Sequence, residues 1–175
     1  MSALPDALRL DGRTIVVTGA SRGIGYSVAE LISTLGGGVV LVARSANAIK
    51  ELAERLPTPA TAVEGDVTDP AVAERAAEAA LELGGLWGLV NNAGVNVAYA
   101  PTTELTLEQW DETLRVNLLG AASFAKTIGK RLADVGGGGR IVNISSVAGL
   151  TGLPNIGPYN ATKAALDALC LLYTS

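Results

Sequence analysis

Five short runs rich in β-branched and apolar residues, at 14–18, 39–43, 60–63, 86–90 and 140–144, alternate with segments of helical spacing at 24–35, 46–56, 71–83 and 107 to about 133. Such alternation leaves few architectures open, because strands joined by a helical crossover lie parallel in one sheet. The runs hardly alternate between apolar and polar residues, so they read as strands buried on both faces. An α/β chain with a doubly wound parallel sheet is the expected result, its helices covering both sides.

Punctuation between the runs agrees. Asp11-Gly12 marks a turn before the first strand, Gly36-Gly37-Gly38 ends the first helix, and Thr106 with Gln109 forms a capping box opening the long one. The glycines at 136–139 read as a plain helix-to-strand connection. No internal repeat and no interdomain linker interrupts the 175 residues, so one domain is expected. Trp87, Trp110 and the alanine-rich helices read as core.

Directly after the first strand, Gly19, Gly23 and Gly25 recur with Ser21, Arg22 and Ile24 between them, and a helix follows at once. Small residues let the backbone approach a pyrophosphate, while the free N–H groups at the helix start stabilise its charge. With a strand before and a second βα unit behind, this predicts a dinucleotide site on a Rossmann-like fold. The second strand ends Leu41-Val42-Ala43-Arg44, without the acid that would read a ribose 2′-hydroxyl. Arg44 and Arg22 can both meet a 2′-phosphate, so NADP(H) is expected over NAD(H). Asp66, before Val67, either accepts from the adenine amino group or closes a turn with Thr68 and Asp69; the spacing leaves both open.

Other chemistries are bounded by composition. A formal net charge of -4 with scattered Lys and Arg offers no basic stripe, so nucleic acid is not an expected partner. The chain has no histidine and a single cysteine, Cys170, which removes a Ser-His-Asp triad, an internal disulfide and the usual zinc ligands; no metal is expected. Residues 1–11 lack the basic and apolar regions of a secretory signal, and no run approaches the ~20 apolar residues of a membrane span, so a soluble cytoplasmic protein is expected.

Tyr159 and Lys163 stand four residues apart at the start of a further helical segment, thirteen residues after Ser146. The four-residue step puts phenol and ammonium on one helix face, where the cation favours phenolate over phenol. Taken in order, Thr18-Gly19 through Gly25, Asp66-Val67, Asn91-Asn92-Ala93-Gly94, Asn117, Ser146 and Tyr159 with Lys163 resemble the motifs of the short-chain dehydrogenase/reductase family. The resemblance covers nearly everything from Asp11 to about Leu169.

That resemblance implies roles and a strand order of 3-2-1-4-5. Tyr159 would exchange a proton with the substrate oxygen as hydride passes to or from the nicotinamide, Ser146 rather than Ser145 would hydrogen-bond that oxygen, and Lys163 would hold the nicotinamide ribose. Asn117 would hold a helix kink and an ordered water; Asn92, Ala93 and Gly94 would line the adenine-ribose side. The expected activity is hydride transfer between NADP(H) and a carbonyl or secondary alcohol, with a 3-oxoacyl-thioester reductase as one assignment. A non-catalytic dinucleotide-binding module is the alternative from another class. An extended-branch epimerase or dehydratase fits less well, since its usual Gly-x-x-Gly-x-x-Gly spacing is missing.

Family members continue beyond the catalytic helix with two further strands, which this sequence lacks. Residues 170–175 read as a non-native tail, and the 175-residue polypeptide is expected to be poorly soluble or inactive by itself. A homo-oligomer paired through the long and catalytic helices is implied for a full-length protein.

Overall fold

In the computed structural model, which describes residues 8–171, all five runs become strands of one parallel sheet with the order β3-β2-β1-β4-β5. The strands are β1 (Thr14–Thr18), β2 (Gly38–Ala43), β3 (Ala60–Glu64), β4 (Leu86–Asn91) and β5 (Arg140–Asn143). The helices are α1 (Gly23–Thr34), α2 (Ala46–Arg55), α3 (Pro70–Glu82), α4 (Leu107–Leu114), α5 (Ala121–Val135), α6 (Ala148–Thr151) and α7 (Gly157–Cys170). Of the suspected tail, residues 172–175 lie outside the described residues, as do residues 1–7.

The central strands are apolar on both faces because each face has its own helical cover. Ile15, Val17, Val39 and Leu41 pack under α1 and α2 through Ala29, Ile32, Ile49 and Leu52. The intervening Val16, Val40 and Val42 face α3 and α5, where Ala73, Ala76, Ala77, Phe124 and Ile128 close the opposite layer. Alanines along α3 let its axis come close to the sheet.

The expectation of double burial fails at the two edges. β3 is mostly half-buried, and β5 alternates exposed and half-buried residues, with Val142 49% exposed. An edge strand has one neighbour and incomplete cover, and apolar composition alone cannot distinguish it from a central one. Trp87 and Trp110, read as core, are half-buried; the Trp87 ring carries the Arg13 guanidinium 4.6 Å from its centroid.

Helix ends follow the local chemistry. Gly36, at φ +91, and Gly37 donate to Ser33 O and Ile32 O, closing α1 in a Schellman motif. Thr106 Oγ1 accepts from Gln109 N–H while Gln109 Oε1 accepts from Thr106 N–H, so the capping box is complete. The long helix is not continuous, however: Arg115–Gly120 is a π-helical turn between α4 and α5. Chain reversal across the sheet occurs between β1 and β4, where connections leave in opposite directions and a crevice opens at the strands' carboxyl ends.

Candidate active site

That crevice is a cleft of about 790 Å³ lined by Gly19, Ser21, Arg22, Gly23, Ile24, Arg44, Asp66, Val67, Asn92, Ala93 and Gly94, which are the residues expected there on sequence grounds. Ser45, Ala48, Gly65, Val95 and Val116 complete it without having been singled out, since nothing in their residue types marks them. Gly19 (φ +66) and Gly23 (φ +59) turn the backbone in the left-handed region so that the loop runs straight into α1. A side chain on Gly19 would strike Ala93 Cα and Asn92 Nδ2 at 2.9 Å. The first turn of α1 has no side-chain cap and no acidic residue, leaving its N–H groups and positive end for an anion.

Gly25 plays another part. It is buried beneath the cleft instead of lining it, and a Cβ there would overlap the Asn92 amide and approach Gly19 O to 2.5 Å. Asn92 Nδ2 donates to Thr18 O and Gly19 O at 2.9 and 3.2 Å, so this amide braces the glycine loop from β4. Thr18 assists from β1: its buried hydroxyl accepts from Asn92 N–H and Ala93 N–H at 3.0 and 3.1 Å. Sequence reasoning placed Thr18 at the end of a strand and the start of the glycine motif but gave its hydroxyl no role; that hydroxyl's partners are 74 and 75 residues away.

Both readings of Asp66 find support in its geometry. Oδ1 closes a turn by accepting from the Thr68 N–H and hydroxyl at 2.9 and 2.8 Å. Oδ2 lies 3.9 Å from Arg44 Nη1 on the cleft wall. The Thr68 backbone bond first, then its hydroxyl and the charges of Arg44 and Arg115, hold the carboxyl below the usual aspartate range. Asp66 is therefore an acceptor at neutral pH.

Tyr159 and Lys163 of α7, also expected as cofactor contacts, are not among the residues lining the cleft; Lys163 stands behind Gly94. Lys163 is 4% exposed, donates from Nζ to Ile144 O at 2.6 Å, and lies 5.5 Å from the Tyr159 ring centroid. Burial pulls its ammonium below the ordinary lysine range, and the Asp167 carboxylate one turn along α7 partly offsets this. Gly94 links the two regions, since it lines the cleft and a Cβ on it would sit 3.7 Å from Lys163 Nζ.

Ser145 and Ser146 diverge. The Ser145 hydroxyl donates to Lys163 O at 3.4 Å, while Ser146 Oγ accepts from Ala148 N–H at 3.1 Å as α6 begins. With an acceptor lone pair occupied by the Ala148 N–H, the Ser146 hydroxyl still has its hydrogen to donate. Asn117 is buried in the π-helical turn, and its amide is fully engaged: Oδ1 accepts from Val95 N–H at 2.7 Å, and Nδ2 donates to Val95 O and Thr162 Oγ1 at 2.8 and 3.2 Å. What Asn117 offers the site is thus its backbone, in a turn where helical carbonyl pairing is altered.

Among the described residues no cluster of three His, Cys, Asp or Glu side chains could hold a metal ion, and no helix is long and apolar enough to cross a membrane.

A family model described as short chain dehydrogenase matches residues 13–173. D-threitol dehydrogenase from Mycolicibacterium smegmatis is 40% identical over 159 residues, which are 89% of this chain and 60% of that protein. Sorbitol dehydrogenase from Cereibacter sphaeroides is 35% identical, covering 93% of this chain and 63% of that protein. Gluconate 5-dehydrogenase from Gluconobacter oxydans is 36% identical, covering 94% and 65%. The chain therefore spans about 60–65% of the length of these curated relatives. The crystal structure of a putative short-chain alcohol dehydrogenase from Sinorhizobium meliloti superposes with a TM-score of 0.86 at 38% identity, over 93% of this chain and 65% of that one.

Proposed function

Because the chain belongs to the short-chain dehydrogenase family, we propose that its site serves an oxidoreductase that moves a hydride between NADP(H) and a secondary alcohol or its ketone. The observation that carries this reading is the meeting of the two regions at Gly94. Gly94, which lines the cleft together with the anion-receptive start of α1, is also the residue whose Cβ would sit 3.7 Å from the buried Lys163 Nζ, itself beside the Tyr159 ring. NADPH, when bound, supplies the hydride.

In this reading Tyr159 delivers the proton to the substrate oxygen and Ser146 donates a hydrogen bond to the same atom. Lys163 contributes positive charge 5.5 Å from the centroid of the phenol ring. Its anchor at Ile144 O keeps the ammonium at that position despite the desolvation it suffers. Relatives named for D-threitol, sorbitol and gluconate support a polyhydroxylated substrate, whereas nothing on this chain specifically favours the 3-oxoacyl thioester. Exposed Leu107 and Leu119 along the long helix support pairing of two copies there.

Arg22 and Arg44 on the cleft wall, with no acid closing β2, support NADP(H). Titrating the chain with NADPH and NADH, followed by nicotinamide fluorescence, tests the assignment. Arg44→Asp is expected to weaken NADPH about tenfold to a hundredfold, the equivalent of ~1.5–3 kcal/mol for a charge-assisted contact, and to leave NADH nearly unchanged. Preference of the unaltered chain for NADH contradicts it.

A further inference from the structure

Thr162 is fully buried on α7, between the tyrosine and the lysine of the site, yet its side chain points away from the cleft's ligand surface and into the π-helical turn. Its hydroxyl donates to Tyr159 O at 2.8 Å, which uses its single hydrogen, and accepts from Asn117 Nδ2 at 3.2 Å. Asn117 passes the constraint on, since its remaining amide hydrogen and its oxygen clamp both polar groups of Val95, and Val95 lines the cleft. The amide cannot turn over: exchanging its oxygen and nitrogen would set a donor against the Val95 N–H.

We propose that Thr162 is a positioning residue which, through Asn117 and Val95, fixes the wall of the cleft relative to the backbone of Tyr159. A threonine bonded to a carbonyl one turn back is common on helices and would by itself mean little. Here the same oxygen receives an amide from a different segment, in a position with no solvent to replace it. Replacing the hydroxyl by a methyl group leaves that amide hydrogen buried without an acceptor, and the π-helical turn is then the segment free to rearrange.

The binding half of the test rests on the cofactor reading above; the exchange half does not. In the 175-residue chain, Thr162→Val is expected to speed amide hydrogen exchange across residues 115–120 at least about tenfold, and to weaken NADPH binding about fivefold. Thr162→Ser, which restores the hydroxyl, is expected to return both to within about twofold of the unaltered chain. Leu166→Val, trimming a buried side chain on the same helix, serves as the purely structural comparison and is expected to leave that turn's exchange unchanged. Should Thr162→Val not fold, Thr162→Cys, with a much weaker acceptor, gives the same comparison. Unchanged exchange in the Val or Cys variant, equal acceleration in Leu166→Val, or failure of Thr162→Ser to restore the turn overturns the proposal. If the unaltered chain binds no NADPH while the exchange pattern holds, the cofactor reading fails and the role of Thr162 stands.

Discussion

Gly25→Val is expected to abolish dinucleotide binding and to lower stability by about 3 kcal/mol or more, at the upper end of overpacking effects. For a chain of this size that corresponds to roughly 6–12 °C in Tm. The reason is local and severe. Even the first carbon of a side chain would overlap the Asn92 amide and come within 2.5 Å of Gly19 O, a backbone atom of the loop itself. Asn92 would have to release Thr18 O and Gly19 O, and with them the loop that presents the start of α1. Gly129→Ala on α5 supplies the contrast, because a Cβ there meets only Ile141 Cδ1 at 3.7 Å. It is expected to stabilise the chain by up to about 1 kcal/mol, the ordinary helical advantage of alanine. Thermal unfolding and NADPH titration of both variants check the pair; a Gly25→Val protein that still binds NADPH would sink the bracing role of Asn92.

Tyr159→Phe is expected to reduce turnover about 10²–10⁴-fold, the usual range for losing a general acid or base, while NADPH affinity changes less than about threefold. Phenylalanine keeps the ring that lies 5.5 Å from Lys163 Nζ and removes only the hydroxyl. Lys163→Met is expected to reduce binding and turnover together, since the amine lies directly behind Gly94, which lines the cleft. Because β5 has no partner on its outer side among the described residues, both variants are best measured in the chain joined to the part of the D-threitol dehydrogenase that the match leaves uncovered. Loss of turnover with binding intact also separates an enzyme from a dinucleotide-binding module without chemistry. Equal turnover in the phenylalanine variant would leave the module as the better reading.

Much of the fold was legible because its signals are local. The glycine loop before α1, the Schellman glycines after it, and the Thr106–Gln109 box each act within a few residues, and all appear where the residue types put them. The two apolar faces of β1, β2 and β4 were equally plain from their Val and Ile content. The resemblance implied a kink at Asn117 but not its π-helical form, which local residue types do not encode; it coincides with Asn117 being gripped by Val95, 22 residues earlier in the chain. The hydroxyl bonds of Thr18 and Thr162 were missed for the same reason, since each acts through partners distant in sequence. Edge exposure of β3 and β5 depends on strand order, which apolar composition does not carry.

The most direct test follows an isotope. With the joined protein, NADPH bearing deuterium at the transferring position of its nicotinamide, and a polyol-derived ketone, the product alcohol is analysed by mass spectrometry. A site of the kind described here puts one deuterium on the new carbinol carbon, at a rate that collapses in Tyr159→Phe. Label that stays on the cofactor, or reaches the product equally fast without the Tyr159 hydroxyl, contradicts the account.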